Sequence, residues 1–82
     1  MNELFYVYVL KSINFDKSYV GFTNNLNRRL TEHNKGKSKY TNIYKPWKVV
    51  YKEEYNTRKE ARKREKYLKS SAGRRFLKEI IK

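Results

Sequence analysis

With 82 residues, the chain has the length of one small domain, close to the size at which a single hydrophobic core is just sufficient. It contains no cysteine, which excludes disulfide bonds and thiolate-bound zinc, so its eight tyrosines and four phenylalanines must fill much of the core. Lysine and arginine outnumber aspartate and glutamate by 21 to 8, and the formal net charge of +13 favours a polyanionic partner, of which nucleic acid is the commonest.

A ribosomal or membrane surface, bound by charge alone, is the alternative partner. No apolar run is long enough to span a bilayer and no signal peptide is visible, so we expect a cytoplasmic protein without membrane insertion. No internal repeat or linker divides the sequence. Residues 1–82 are therefore predicted to form a single domain.

The beginning of the chain predicts a β-hairpin. Residues 4–10 are apolar on both faces and rich in β-branched and aromatic side chains, which is typical of a central, buried strand. Turn-forming residues at 13–17 then lead into a returning antiparallel strand at 18–22. Gly21 removes a side chain near the end of that strand, where a phosphate could approach the backbone, although glycine is also a routine strand terminator.

A helix is predicted to follow, capped by Asn24 or Asn25. Four of its residues share one face by their i, i+3, i+4, i+7 spacing: Leu26, Arg29, Leu30 and His33. A guanidinium and an imidazole among leucines are costly unless they have partners or a function there. We interpret this helix as half of an active site.

The middle of the chain predicts a loop and then a third strand. Residues 35–46 are expected to be a polar loop with four lysines and two tyrosines, in which Lys37 and Lys39 are candidates for contacts with a nucleic-acid backbone. A simple solvated loop explains this composition equally well. Residues 47–55 predict an edge strand, with Trp47, Val49 and Tyr51 on one face.

The last third of the chain predicts two helices and most of the basic surface. Thr57 and Glu60 form a capping box, so a helix is expected to begin there and to end at Lys69. Residues 70–73 are expected to interrupt it before a short helix at 74–82. Four apolar residues of that last helix are expected to pack back on the core: Phe76, Leu77, Ile80 and Ile81. Eleven basic and three acidic residues lie between positions 57 and 82.

Glu65 lies on the apolar stripe of its predicted helix, between Ala61 and Leu68. An ion pair, with Arg29 as the obvious partner, is one explanation for a carboxylate in that position. The functional explanation is that Glu65 holds a divalent metal, since magnesium takes only one or two protein carboxylates and fills its other positions with water and phosphate. Arg29, which is always charged, suits bidentate contact with a phosphate. A lone histidine such as His33 is either structural or a base or proton donor.

The spacing of these residues resembles that of the GIY-YIG nuclease superfamily. The segment Tyr6-Val7-Tyr8, then ten residues, then Tyr19-Val20-Gly21 is similar to the paired signature of that family. Arg29 follows Tyr19 by ten residues and His33 follows Arg29 by four, as in the family, and Arg64-Glu65 corresponds to its metal-binding glutamate. The run at 21–30 and the Pro46-Trp47 pair look like the small single-domain bacterial branch.

The resemblance implies an α/β fold in which a small three-stranded antiparallel sheet is flanked by helices. It implies a metal-dependent endonuclease that hydrolyses DNA, including structured or branched DNA, with Mg²⁺ or Mn²⁺ at Glu65. The catalytic residues would be Tyr8, Tyr19, Arg29, His33 and Glu65, with Tyr8 preferred over Tyr19 as the base. The candidates for nucleic-acid binding are Gly21, Lys37, Lys39, Lys69, Arg74 and Arg75.

The sequence departs from the family pattern in two places. Tyr6 stands where the first signature has glycine, and residues 66–82 lack the asparagine that many members carry, so that Lys69, Arg74 or Arg75 would have to take its place. Two other functions are open at this point. The chain could be a non-catalytic nucleic-acid-binding module, or a nuclease subunit that is active only with a partner protein.

Overall fold

Residues 3–81 are described by a computed structural model, in which helices pack on both faces of a three-stranded antiparallel sheet. In chain order the strands and helices are β1 (Phe5–Ser12), β2 (Ser18–Thr23), α1 (Leu26–Asn34), α2 (Lys39–Tyr44), β3 (Trp47–Tyr55), α3 (Arg58–Leu68) and α4 (Ser71–Ile80). The α/β fold predicted from the sequence is confirmed. None of the helices within residues 3–81 is long and apolar enough to cross a membrane.

β1 is the central strand, because the sheet order is β2-β1-β3. Its side chains alternate between two hydrophobic clusters, so both faces of the strand are buried. On one face Tyr8 and Leu10 pack with Trp47 and with the apolar side of α1, and we call this the α1 face. On the other, Phe5 and Val7 pack against α3 and α4, and we call this the α3 face.

β3 changes face part-way along its length because of a bulge. Val9 pairs with Tyr51 whereas Leu10 pairs with Val49, so Val50 is an extra residue between them. Trp47 and Val49 therefore point to the α1 face, while Tyr51 contacts Phe76 of α4 on the α3 face. The prediction that Trp47, Val49 and Tyr51 share one face was wrong, because a bulge shifts the alternation by one residue.

The predicted loop at 35–46 contains the short helix α2. The helix is held by its surroundings: Thr41 is fully buried, and the indole Nε1 of Trp47 donates a hydrogen bond to the Thr41 carbonyl at 2.9 Å. Tyr40 stacks on Trp47 with ring centroids 5.9 Å apart. Six residues are too few to show a helical period, so the sequence alone gave no sign of this helix.

The connection between α3 and α4 is shorter than the sequence predicted. α3 ends at Leu68, but α4 begins at Ser71 rather than at residue 74, with the Ser70 hydroxyl accepting a hydrogen bond from the Gly73 N–H at 3.3 Å. A Cβ on Gly73 would lie 2.2 Å from the Tyr67 carbonyl oxygen, so glycine permits the close approach of the two helices. Ile80 is exposed, contrary to expectation, since it lies on the outer side of α4.

Candidate active site

Two tyrosines reach the α1 face from neighbouring strands. Tyr8 lies opposite Gly21 and Leu10 lies opposite Tyr19 in the β1–β2 pairing, so Tyr8 and Tyr19 project from the same side of the sheet. Their ring centroids are 6.3 Å apart. The Tyr8 side chain is buried and Tyr19 is half-buried, so Tyr8 forms the floor of the site and Tyr19 its outer wall.

Gly21 makes room for the Tyr8 phenol. A Cβ at position 21 would lie 2.6 Å from the Tyr8 hydroxyl oxygen and 2.8 Å from its Cζ, both closer than real Cβ contacts. The ring occupies the space that a side chain at position 21 would take. Gly21 is buried beneath it, so the structure gives this glycine a packing role and offers no exposed backbone there for a phosphate.

α1 contributes His33, which is buried against both tyrosines. The hydroxyl of Tyr8 and the Nε2 atom of His33 are hydrogen-bonded at 3.0 Å, and the rings of Tyr19 and His33 have centroids 4.7 Å apart. Within residues 3–81, Nδ1 of His33 has no hydrogen-bond partner. Burial, together with the positive charge of Arg29, lowers the pKa of His33. The ring is therefore held neutral at physiological pH.

Burial has the opposite effect on Tyr8. Removal from water raises the pKa of Tyr8 to about 12, and the charge of Glu65 acts in the same direction, while Arg29 opposes it. The phenol therefore stays protonated at neutral pH. The surrounding protein groups therefore do not by themselves make Tyr8 a phenolate.

Arg29 lies one helical turn before His33 and remains partly open to solvent. Its guanidinium forms an ion pair with Glu32 at 3.0 Å, an i, i+3 contact within α1. Burial opposes its charge, but hydrogen bonding with Glu32 and proximity to Tyr8 raise the pKa of Arg29. Only one of its terminal nitrogens contacts Glu32, and about a third of the side chain is exposed (36%), so other N–H groups are available to an anion.

Glu65 reaches the site from the opposite side, on α3. Its carboxylate accepts a hydrogen bond from the Lys69 ammonium at 3.2 Å, and it lies near enough to raise the pKa of Tyr8. The Glu65–Arg29 ion pair that we considered is absent among the described residues, because each has a partner one helical turn away on its own helix. A turn of helix brings such partners together at little entropic cost.

The donor set fits a magnesium ion that keeps most of its water. No three histidine, cysteine, aspartate or glutamate side chains come together anywhere in residues 3–81, which rules out a cage built wholly from protein ligands there. One partly exposed carboxylate suits a hard cation that takes its other ligands from water and phosphate. Glu65 is the residue that would hold it.

The candidate nucleic-acid-binding residues separate into two groups. Lys69 and Arg74 line a cavity together with Tyr19, next to the candidate site. Arg75 is exposed on α4 and does not line that cavity, while Lys37 and Lys39 lie in and after the turn between α1 and α2. The structure thus brings Lys69 and Arg74 to the site and leaves the other lysines and arginine at the surface.

Sequence reasoning missed Tyr40 and the role of Glu53. Tyr40 lies 6.3 Å from Tyr19 between ring centroids and donates a hydrogen bond to the Ser18 carbonyl at 3.0 Å. Glu53 accepts two hydrogen bonds from Arg64, which fixes the residue next to Glu65 on α3. The basic and aromatic composition of residues 35–46 was the available signal for Tyr40, whereas nothing local identifies Glu53.

Comparison with known proteins places the whole domain in one family. Residues 4–78 match the model of the GIY-YIG catalytic domain. A UPF0213 protein of Staphylococcus epidermidis is 41% identical to this chain over 76 residues, which cover 92% of each chain. The UPF0213 protein YazA of Bacillus subtilis is 38% identical, and the match covers 83% of this chain and 67% of YazA. The solution NMR structure of a UPF0213 protein from Bacillus halodurans superimposes with a TM-score of 0.54 at 30% identity, covering 90% of this chain and 81% of that one.

Proposed function

This chain belongs to the GIY-YIG nuclease family, and from that premise we propose that it is a metal-dependent endonuclease that hydrolyses phosphodiester bonds in DNA. The observation that carries the proposal is the hydrogen bond between Tyr8 and His33, with Tyr19 and Arg29 beside it and Glu65 approaching from the other side. These groups supply a proton acceptor, an anion-binding cation and a carboxylate for a metal, which are the parts that hydrolysis of a phosphodiester requires.

Tyr8 and His33 together provide the route for the proton of the attacking water. Because the pKa of Tyr8 is about 12, its phenol is a poor base by itself at neutral pH. The neutral imidazole of His33 lies at hydrogen-bond distance and can accept the phenol proton at Nε2. As the water oxygen bonds to phosphorus, the phenol oxygen takes the proton of the water and gives its own proton to Nε2, while the P–O bond to the leaving strand breaks and the leaving oxygen takes up a proton from solvent. This assigns the base to Tyr8 with His33 as its proton acceptor.

Arg29 is suited to bind the scissile phosphate. Its positive charge is retained at any working pH, and its free N–H groups can contact two non-bridging oxygens at once. Negative charge on those oxygens grows as the water oxygen bonds to phosphorus, so the arginine stabilises the transition state more than the ground state. Tyr19, packed on His33, orients the ring that receives the proton.

A magnesium or manganese ion held by Glu65 would supply charge neutralisation at the phosphate and at the leaving oxygen. Glu65 and Lys69 then have linked roles. Glu65 would hold the ion, and Lys69, whose ammonium is hydrogen-bonded to that carboxylate at 3.2 Å, would lie beside it as a contact for the DNA.

The test is cleavage of labelled branched and linear DNA by the purified protein with magnesium, compared with Glu65→Gln. We expect the substitution to lower the cleavage rate by about 10²–10³-fold, the loss typical of removing one group that stabilises transition-state charge. Glu79→Gln, on the exposed side of α4, removes the same charge away from the site and should cleave like the wild type.

Cleavage that persists with a chelator, or that Glu65→Gln leaves unchanged, would contradict the metal mechanism. A wild-type protein that binds DNA without cutting it would favour a non-catalytic binding module. Activity that appears only after addition of a cell extract fraction would instead favour a nuclease subunit that needs a partner protein.

A further inference from the structure

Two adjoining cavities lie between α4 and the start of β2. The larger has a volume of about 530 Å³ and the smaller about 310 Å³. Four residues line both, so the cavities form one continuous depression, which we call the α4 groove: Ser18, Tyr40, Arg74 and Leu77. The mechanism proposed above uses none of these four residues.

The α4 groove starts at the candidate active site. Its smaller end is also lined by Tyr19 and Lys69, and Lys69 is hydrogen-bonded to Glu65 at 3.2 Å. A nucleic-acid strand with its scissile phosphate at Arg29 and Glu65 would therefore enter the α4 groove within a few nucleotides. The opposite end is reached at Lys78 and Ile81, at the end of α4.

One wall of the α4 groove is a helical stripe with unneutralised charge. The residues that α4 and its cap present to it follow the spacing i, i+3, i+4, i+7: Arg74, Leu77, Lys78 and Ile81. No ion pair within residues 3–81 involves Arg74 or Lys78. Lys11 and Lys17 line the other side, and Asp16 is the acidic residue among them, so the lining is strongly cationic. This charge suits a phosphate backbone.

The floor of the α4 groove is apolar, and this favours an unpaired strand over a duplex as the bound nucleic acid. Val9 and Val50 line it, together with the ring of Tyr40, which is 40% exposed. A duplex presents phosphates and keeps its bases stacked inside, so it would leave this floor uncovered. An unpaired strand presents both phosphates and base faces. A volume of about 530 Å³ also lies within the range of sites that hold a small organic molecule, such as an unpaired nucleotide.

We infer that the α4 groove binds an unpaired strand of the DNA substrate immediately beside the cleavage position, an inference that rests on the proposed nuclease function. It gives the protein a substrate class: DNA in which a single-stranded flap or overhang begins at the site of cutting. The duplex part would contact the exposed basic residues elsewhere on the surface.

The test compares two double variants with the same change in charge. Arg74→Glu with Lys78→Glu alters the groove wall, whereas Lys59→Glu with Lys63→Glu alters the exposed outer side of α3, away from both cavities. Binding of fluorescein-labelled oligothymidylate and of a blunt duplex is measured by anisotropy with chelator present, so that no cutting occurs. All four altered side chains are exposed, and circular dichroism checks that each variant is folded.

We expect the groove variant to bind oligothymidylate at least about ten-fold more weakly than the α3 variant, because it loses specific phosphate contacts as well as net charge. The two variants should bind the blunt duplex alike. Equal losses for oligothymidylate would overturn the inference, even if the wild type cleaves DNA. If the wild type does not cleave DNA but the groove variant still loses oligothymidylate binding selectively, the inference about the α4 groove is supported and the proposed hydrolysis is contradicted.

Discussion

His33 is almost completely enclosed in the candidate site, with 1% of its surface exposed. Its Nε2 atom is hydrogen-bonded to Tyr8, and Nδ1 has no partner within residues 3–81. Nε2 can accept the Tyr8 proton only when the hydrogen of the neutral ring is on Nδ1, so protonation puts a positive charge on a ring that is removed from water and lies near Arg29. This cost explains why the neutral ring is favoured in the folded protein, and a neutral ring is what the proposed mechanism requires.

The lowered pKa of His33 predicts a loss of activity on the acid side. Once pH falls through that pKa, the ring is already protonated and cannot accept the proton of Tyr8, so the cleavage rate should fall by about ten-fold per pH unit. The pH–rate profile of cleavage with saturating magnesium measures this slope. In His33→Gln the remaining slow cleavage should not show this fall in rate at low pH. A pH–rate profile identical to that of the wild type would exclude His33 as the proton acceptor.

Stability should depend on pH in the same direction. In the unfolded chain His33 titrates near its ordinary pKa of about 6.5, whereas the folded protein resists protonation. The unfolded state therefore binds more protons as pH falls below about 6.5, and the contribution of His33 to stability is lost in that range. The urea midpoint of the wild type should fall more steeply than that of His33→Gln between pH 7 and pH 5.

Among the secondary-structure elements, α3 carries Glu65, the proposed metal ligand, and packs on the face of the sheet opposite to α1. A polar cluster connects it to β3. The carboxylate of Glu53 accepts two hydrogen bonds from Arg64, at 2.9 and 3.1 Å, and further hydrogen bonds from the hydroxyls of Tyr51 and Tyr55. The Arg64 guanidinium also lies over the rings of Tyr67 and Phe76. Arg64 thus joins β3, α3 and α4.

We expect Glu53→Ala to destabilise the protein by about 1–3 kcal/mol, since it leaves the half-buried guanidinium and two phenols without their acceptor. Cleavage should fall as well, because α3 carries Glu65. Urea unfolding and the cleavage rate measure the two effects. Glu54→Ala is the matched control, since Glu54 is the next residue on β3 and is exposed. Equal effects of the two substitutions would show that the cluster does not hold α3 in place.

For the molecule as a whole, net charge is expected to dominate the encounter with DNA, the substrate proposed above. The formal charge of +13 is spread over a domain with a radius of gyration of 12.5 Å, and most of it lies after residue 57. Such a surface attracts any polyanion and does not by itself select a sequence. Selection of a substrate therefore depends on shape, which is the role we assign to the α4 groove.

Binding to duplex DNA should therefore be steeply salt-dependent. If about six phosphates are neutralised, affinity should fall by about 10³-fold between 50 and 200 mM salt, because each contact releases condensed counterions. Anisotropy with a blunt duplex and chelator, repeated over that range, gives the slope. A nearly flat dependence would mean that the basic surface is not the DNA-binding surface.

The sequence by itself determined those features that local chemistry controls. β1 is central because it is apolar on both sides, and the start of α3 follows from Thr57, whose side chain accepts the N–H group of Glu60. For α1 the sequence offered Asn24 or Asn25, and in the structure Asn25 caps the helix by accepting the N–H group of Arg28. The shared face of Arg29 and His33 follows from helical periodicity alone. Their spacing from the tyrosines was enough to identify the family, which the comparison with known proteins confirms.

Tertiary structure decided everything that depends on residues far apart in the chain. The Tyr8–His33 hydrogen bond joins positions 25 residues apart, the bulge at Val50 appears only when β3 pairs with β1, and α2 exists because Trp47 packs on it. The α4 groove is likewise formed by helix and hairpin residues that no local pattern relates. Periodicity and capping are set by near neighbours, whereas register, ion-pair choice and cavity shape are set by how the whole core packs.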